Sequence, residues 1–302
     1  MENSFTRRYY LFSAFWLGLL VNLLLAAILI WFAAYILKNT TIPKLASLLF
    51  SFAILISFYG LWNALNPQIK SIDVKIKNLP VEWRGKQIVQ LSDVHLGHIY
   101  RENFLQNLVD QINLINPKAV FITGDLFDGM DGRLEKLVEP LNNLKTQSYL
   151  ITGNHETYLG IEKSFSTLKR TPIKILNNEM VDIDGLQVIG ISYPSRSEKK
   201  DITSKILAIS NFSPKKSSIL LYHSPTFLKE AQNLGINLQL SGHTHKGQIF
   251  PFGFITSWIY HGYDHGLYTF SDYNLYVSNG VGTWGPPMRI GNIPEIVVIT
   301  LR

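Results

Sequence analysis

Two long apolar runs open the chain, and a mixed pattern follows them. Leu11 to Leu37 is 27 residues without a charge, and Leu45 to Leu65 is another 21. A helix rises about 1.5 Å per residue and a bilayer's hydrocarbon core is about 30 Å thick, so each run predicts a membrane-crossing helix. The first run is too long for a signal peptide, and no small-residue cleavage motif follows it. From about residue 71 short apolar runs alternate with stretches of helical period. Strands are predicted at 87–91, 119–123, 149–152, 186–191, 218–221, 238–241, 267–270, 275–277 and 296–300. Helices are predicted at 103–113, 134–144, 161–169, 202–209 and 226–234. Early β–α alternation followed by more strand-rich sequence predicts an α/β domain whose later half turns antiparallel. The expected organisation is an anchor over 1–66, a juxtamembrane segment with a first strand over 67–84, and a folded domain over 85–302.

Charge sharpens the membrane reading. Through Lys86 there are nine basic and three acidic residues, and from Gln87 onward 19 of each. The later domain is therefore not a basic body built to neutralise a nucleic-acid backbone, and no nucleic acid is expected as partner. Arg7 and Arg8 precede the first run, and Lys70, Lys75, Lys77, Arg84 and Lys86 follow the second. The hairpin between holds only Lys38 and Lys44. Seven against two predicts both flanks, and with them the folded domain, on the cytoplasmic side of the inner membrane. There is no cysteine, which excludes disulfides, iron–sulfur clusters and cysteine-bound zinc.

Polar chemistry gathers just past the carboxyl ends of five predicted strands. "IVQLSDVHLG" ends in Asp93 and His95, "AVFITGDLFD" in Asp125 and Asp128, and "YLITGNHE" in Asn154 and His155. "ILLYHSP" ends in His223, and "LQLSGHTH" in His243 and His245. That edge of an α/β sheet is where ligands bind. Residues i and i+2 of a strand point to one side, so His243 and His245 would face one cavity together. A single Asp or Asn at a strand end reads equally well as a turn or helix cap. Five such sites read as a set of mixed nitrogen and oxygen donors. They suit Mn, Fe, Zn or Ni, and are numerous enough for two ions.

These blocks resemble the calcineurin-like metallophosphoesterases, whose signature is D-x-H, G-D-x-x-D, G-N-H-E, H and G-H-x-H in that order. All five appear over residues 85–302. With the two apolar runs and the ending "SNGVGTWGPPMRIGNIPEIVVITL", the chain is similar to the membrane-associated bacterial branch that includes YkuE-like and YaeI-like phosphodiesterases. The resemblance implies a four-layer α/β/β/α sandwich and two divalent metal ions, manganese favoured. It implies Asp93, His95 and His245 on one ion, Asn154, His223 and His243 on the other, and Asp125 bridging. Two such ions polarise phosphoryl oxygens and bring the pKa of water towards neutrality. His155, not itself an implied ligand, is assigned to the leaving-group oxygen. Asp128 is either its orienting partner or a helix cap. Glu156 reads as a supporting or capping group. Lys246 departs from the branch's usual glycine. It and Arg289 are candidates for substrate phosphate contacts or plain surface charges, and His98, His261 and His265 read as ordinary surface or loop histidines.

Directly after the histidine pair, "IFPFGFITSWIYHGY" (249–263) is rich in Phe, Ile, Trp and Tyr. It reads either as a β-hairpin packed into the core or as an apolar lip for acyl chains or the bilayer. The function expected is a membrane-anchored phosphodiesterase or pyrophosphatase, its substrate lipid-linked, such as UDP-2,3-diacylglucosamine of lipid A synthesis. The alternative is a membrane-tethered phosphodiesterase of small nucleotides or other soluble phosphoesters. A non-catalytic scaffold would lack ligands, and none of the implied set is missing. The bilayer is the expected partner, and no protein partner is predicted.

Overall fold

The computed structural model describes residues 3–37, 42–130, 132–195, 198 and 201–302. Lys38, part of the charge tally above, lies outside them. Two antiparallel helices, α1 (Ser4–Leu37) and α2 (Ile42–Ala64), form a hairpin, both long and apolar enough to cross a membrane. Their outward faces are large and apolar, Leu24, Trp31 and Leu55 among them, a surface water would not tolerate but lipid would. Inside the hairpin the polar groups pair: Asn22 Nδ2 donates to Ser57 Oγ at 2.8 Å, and Ser57 Oγ to Ala53 O at 2.7 Å.

The hairpin does not stand free. Arg289 N donates to Gly60 O at 2.9 Å. Asn63 Nδ2 donates to the carbonyls of Arg289 and Asn292. Met288 crowds Gly18 of α1 and Ile290 crowds Gly60 of α2, where no side chain would fit without a shift. At the other edge Arg7 Nε donates to His98 O at 2.9 Å.

The rest of the chain runs β1 (Gln68–Val74), β2 (Gln87–Leu91), α3 (Glu102–Ile115), β3 (Ala119–Ile122), α4 (Leu134–Val138), β4 (Ser148–Leu150), α5 (Asn154–Leu159), α6 (Ile161–Leu168), β5 (Lys174–Ile175), β6 (Glu179–Ile183) and β7 (Leu186–Ile191). It continues through α7 (Ile202–Leu207), β8 (Ser218–Tyr222), α8 (Leu228–Asn233), β9 (Leu238–Ser241), α9 (Gly253–Ile259), β10 (Gly266–Phe270), β11 (Tyr273–Val277) and β12 (Glu295–Leu301). One sheet has the order β1-β12-β2-β3-β4-β5, the other β10-β11-β9-β8-β7-β6. Ile88, Phe121 and Tyr149 of the first sheet meet Val188, Leu221 and Leu240 of the second. α3 and α4 cover the first sheet's outer face through Leu105, Leu108 and Val138. α7 and α8 cover the second's through Ile202, Ile206 and Ala231. The architecture is thus the expected α/β/β/α sandwich.

Two expectations need correction. The later half is not uniformly antiparallel: in the second sheet β7, β8, β9 and β11 run parallel and the edge strands β6 and β10 reverse, while in the first sheet β12 runs antiparallel to β2. The inner strands β7, β8, β9 and β11 are buried at every position, as strands covered on both faces must be. Residues 249–263 are not a core hairpin either. They contain the helix α9, none of whose residues is buried.

Candidate metal centre

The carboxyl ends of both sheets converge. Asp93 and His95 follow β2, Asp125 and Asp128 follow β3, and Asn154 and His155 open α5 just after β4. His223 follows β8, and His243 and His245 follow β9. Donors from β2, β3 and β4 belong to one sheet and those from β8 and β9 to the other, so the site straddles the sandwich.

Two groups of donor atoms, each within 4.8 Å of one another, gather here among the described residues: Asp93, His95 and His245 in one, Asp125, His223 and His243 in the other; a third, His95, Asp128 and His155, overlaps the first through His95. His95 Nε2 lies 3.1 Å from His245 Nε2, and His243 Nδ1 lies 3.2 Å from His223 Nε2. Asp125 Oδ2 is 3.0 Å from His223 Nε2 and 4.0 Å from His95 Nε2, which puts its carboxylate between the two groups. His243 and His245 do not share a strand face. Their strand ends at Ser241, both adopt left-handed φ angles, and each joins a different group. Asp93, His95 and Asp125 are left-handed too. Such conformations cost about 1–3 kcal/mol each for non-glycine residues and persist only where the surroundings enforce them.

The enforcing contacts are specific. Asp93's carboxylate accepts from His243 N, so it ties one group to the other. Asp125 Oδ1 accepts from His155 N at 2.9 Å. His223 Nδ1–H donates to Thr123 O at 2.7 Å, which leaves Nε2 as the free ring nitrogen facing Asp125. Buried Glu156 accepts from the backbone N–H groups of Asp125, Phe127 and Gly153, and so pins the turn that carries Asp125. Gly153 and Gly242 supply room. A Cβ on Gly153 would stand 2.1 Å from Asp125 Oδ1, and one on Gly242 2.2 Å from Asp93 Oδ2.

His155 sits at the partly open side, its ring 4.5 Å from that of His95. Its Nδ1–H donates to the backbone carbonyl of Asp128 at 3.0 Å. The Asp128 carboxylate is farther from it, at 3.9 Å, and closer to His95 Nδ1, at 3.4 Å. Asp128 therefore meets His155 through its backbone, while its side chain faces His95. Arg289 is displaced from the expected role. It is fully buried, with no surface to offer a substrate phosphate. Its guanidinium donates to Gly282 O, His245 O and Asn292 Oδ1, and its Nη2 lies 2.9 Å from His245 Nδ1, so it packs against the His245 ring and holds its backbone. Lys246 is half-buried in the turn after His245. His261 and His265 lie outside the groups, as expected, and His98 lends its carbonyl to Arg7. Two residues went unnoticed in the sequence. The ring of Tyr193 lies 5.9 Å from those of His223 and His243, and that of Tyr260 6.2 Å from His243. β7 is the strand whose end carries a tyrosine instead of a ligand, and that was the available signal.

Electrostatics follow from burial and proximity. Burial opposes the charge on Asp125, but His223 beside it prevails and holds the carboxyl far below its usual range. Burial likewise opposes a charge on His223, and Asp125 overrides it, raising the imidazole to about 10. Burial takes His245 down to about 3, and burial with the neighbouring His223 takes His243 to about 4. Burial and the Asp125 charge push Glu156 up to about 7.

These donors fit a pair of divalent ions. Asn154 Oδ1 is buried with no hydrogen-bond partner, which an amide oxygen rarely tolerates unless something else takes its lone pair. Ring nitrogens that face each other at 3.1 and 3.2 Å, with carboxylates alongside, are the donor set such ions take.

The family model for calcineurin-like phosphoesterases matches residues 86–247. An uncharacterized metallophosphoesterase of Campylobacter jejuni is 37% identical over 80% of this chain and 65% of its own. A transmembrane protein with metallophosphoesterase domain from Danio rerio is 34% identical, over 82% of this chain and 60% of its own. The uncharacterized metallophosphoesterase YkuE of Bacillus subtilis is 30% identical, over 81% and 90%. The chain thus spans about two thirds or less of the length of the first two relatives. Sequence, sheet order and donor placement agree: the chain belongs to the calcineurin-like phosphoesterase family.

Proposed function

We propose that this protein is a membrane-anchored, dinuclear-metal hydrolase that cleaves a phosphodiester or pyrophosphate bond in a lipid-linked substrate at the cytoplasmic face of the inner membrane. The observation that carries the chemistry is Asp125, whose carboxylate stands between two groups of metal-type donors. Asp93, His95 and His245 would hold one ion, Asn154, His223 and His243 the other, with Asp125 shared. Ions held there supply charge stabilisation for phosphoryl oxygens and a water of lowered pKa. The chain's own residues do the rest. Glu156 and Gly153 fix where Asp125 stands. Thr123 O sets the His223 tautomer, and Arg289 fixes the His245 ring. His155 has its Nδ1–H committed to Asp128 O, so Nε2 is the atom left to serve the leaving-group oxygen.

Two observations support a lipid-linked substrate: the anchor is packed against the catalytic domain, and a short helix with exposed large apolar side chains lies beside the site. The excess of basic residues on the flanks supports the cytoplasmic side. The test is hydrolysis by the full chain, in detergent with Mn²⁺, of UDP-2,3-diacylglucosamine beside bis-(p-nitrophenyl) phosphate, with Asp125→Ala as control. Cleavage of both substrates that the substitution abolishes is the expected result. Activity on the small diester alone would keep the chemistry and replace the substrate with a soluble phosphoester. Activity on neither with any of Mn, Fe, Zn or Ni would overturn the enzyme.

A further inference from the structure

The helix α9 is built the wrong way round for water. Phe254 is 70% and Trp258 79% exposed, with Ile255 and Ile259 on the same short helix more than half exposed. Phe250 just before it is exposed as well. A contiguous apolar face of this kind marks a contact surface. Its position says with what. Phe250 and Pro251 close one end of a cavity of about 290 Å³ whose other walls include Asn22, Leu25, Phe52 and Ile56 of the hairpin. Asn22 stands 15 residues before the end of α1 at Leu37. At about 1.5 Å per residue that is about 22 Å, well inside a hydrocarbon core of about 30 Å that begins at the far end of the hairpin. The chain beside Asn22 is therefore at acyl-chain depth, and α9 begins two residues on.

The same segment is fixed to the candidate metal centre. Phe250 N donates to Ile290 O at 2.8 Å, next in sequence to the Arg289 that seats His245. Gly247 lies against Gly253 so closely that a Cβ would come 2.2 Å from Gly253 N. Tyr260 at the end of α9 faces His243.

We infer that residues 250–259 are a membrane-penetrating lip: the bilayer is the partner of this face, Phe254 and Trp258 enter its acyl layer, and the mouth of the metal centre is held at headgroup level. A phosphoester carried by a bilayer lipid then reaches the centre by moving sideways in the leaflet. This rests on the hairpin crossing the membrane and deepens the lipid-linked reading of the same site, but its test needs no turnover.

The full chain is placed in lipid nanodiscs with or without brominated acyl chains, and the emission of Trp258 is taken as the difference between the wild type and Trp258→Phe. Bromine should quench it at least as strongly as the emission of Trp31, isolated in the same way from Trp31→Phe, and aqueous acrylamide should not. Quenching by acrylamide alone would put the lip in water and overturn the inference. Protection from both quenchers would mean that protein covers α9, a second copy of this chain included, and would overturn it too. Bromine quenching that appears only after a lipid substrate is added would make the face an acyl-chain pocket instead of a bilayer contact. Because the chain has no cysteine, Phe254→Cys carries one spin label at one place. Greater relaxation by oxygen than by an aqueous nickel chelate is expected there, and the reverse order would refute insertion independently of the tryptophan variants. If the lip inserts and no phosphoester is cleaved, the hydrolase reading fails alone.

Discussion

Arg289→Met tests how the centre is held. The guanidinium is fully buried, donates to Gly282 O, His245 O and Asn292 Oδ1, and lies 2.9 Å from His245 Nδ1. Methionine fills much of the volume and supplies no donor. Each buried acceptor left without a partner costs about 1–3 kcal/mol, although some relax or take up water. Hydrogen bonds from a charged group are worth about 1.5–3 kcal/mol each and are recovered in part, so the total is about 3–5 kcal/mol. For a domain of this size that is a fall in Tm of roughly 10 °C. The chemical effect is separate. His245 loses the contact that orients its ring, and loss of such a supporting partner typically weakens metal binding by about 10–100-fold.

The assay is thermal unfolding of the full chain in detergent, followed by tryptophan emission, with bound metal measured after dialysis against a graded chelator. Arg289→Lys belongs in the same series. It keeps the charge but not the fork that reaches three acceptors at once, so it should fall between wild type and methionine. Arg289→Met melting within about 2 °C of wild type, with metal retained at the same chelator strength, would refute the reasoning. The arginine would then be filler behind the site.

Three further outcomes follow from the same contacts. Gly153→Ala pushes a Cβ to 2.1 Å from Asp125 Oδ1, so the carboxylate must move by an ångström or so. A displacement of that size costs about 100-fold in rate, read on a small phosphodiester alongside metal content. Asn63→Ala removes two hydrogen bonds from α2 to the backbone of Arg289 and Asn292. A loss of about 1–3 kcal/mol should appear as a lower Tm, with weaker metal retention and unchanged membrane extraction. Stripped of metal, the chain should be most stable near neutral pH. His243 and His245 stay neutral down to about 4 and 3, whereas an unfolded chain takes up those protons near pH 6.5. The unfolded state then binds more protons, so stability falls as pH drops from about 6.5 towards 4. His223, raised to about 10, contributes fully below about 6.5 and loses that contribution as pH rises towards 10. A flat melting temperature across pH 4–10 in the metal-free chain would contradict this.

The candidate metal donors were legible because of where they fall. Five buried strands each end in Asp, Asn or His, and that coincidence has no packing explanation. What the sequence obscured was geometry. His243 and His245 read as two steps of one strand, yet the strand stops at Ser241 and the left-handed turn after it sends them to different groups. Strand alternation is a property of extended backbone, and these residues leave it. α9 was hidden for another reason. "GFITSWI" has no charged side to mark a helical period, so a short apolar run of this kind cannot be told from a strand by pattern. The helix becomes intelligible on the proposal made above, in which lipid takes the place of a protein core beside the hairpin.

Arg289 shows the deeper limit. Ligands announce themselves by residue type, because few side chains bind a divalent ion. A positioning residue announces nothing, since most of its partners are backbone carbonyls that any sequence provides. Its contacts reach 44 residues back to His245, and the Asn63 that holds its own carbonyl lies 226 residues away. No local pattern encodes such a pairing. The consequence is functional as well as structural. Asn63 and Gly60 grip the backbone of Arg289, and Arg289 grips His245. Tyr100, which donates to Ala64 O at 3.3 Å, closes the loop that begins at His95. Two of the three donors in one group are thus braced by the last turn of a helix long and apolar enough to cross a membrane. A chain cut after Ala64 would keep every ligand and lose the support for two of them.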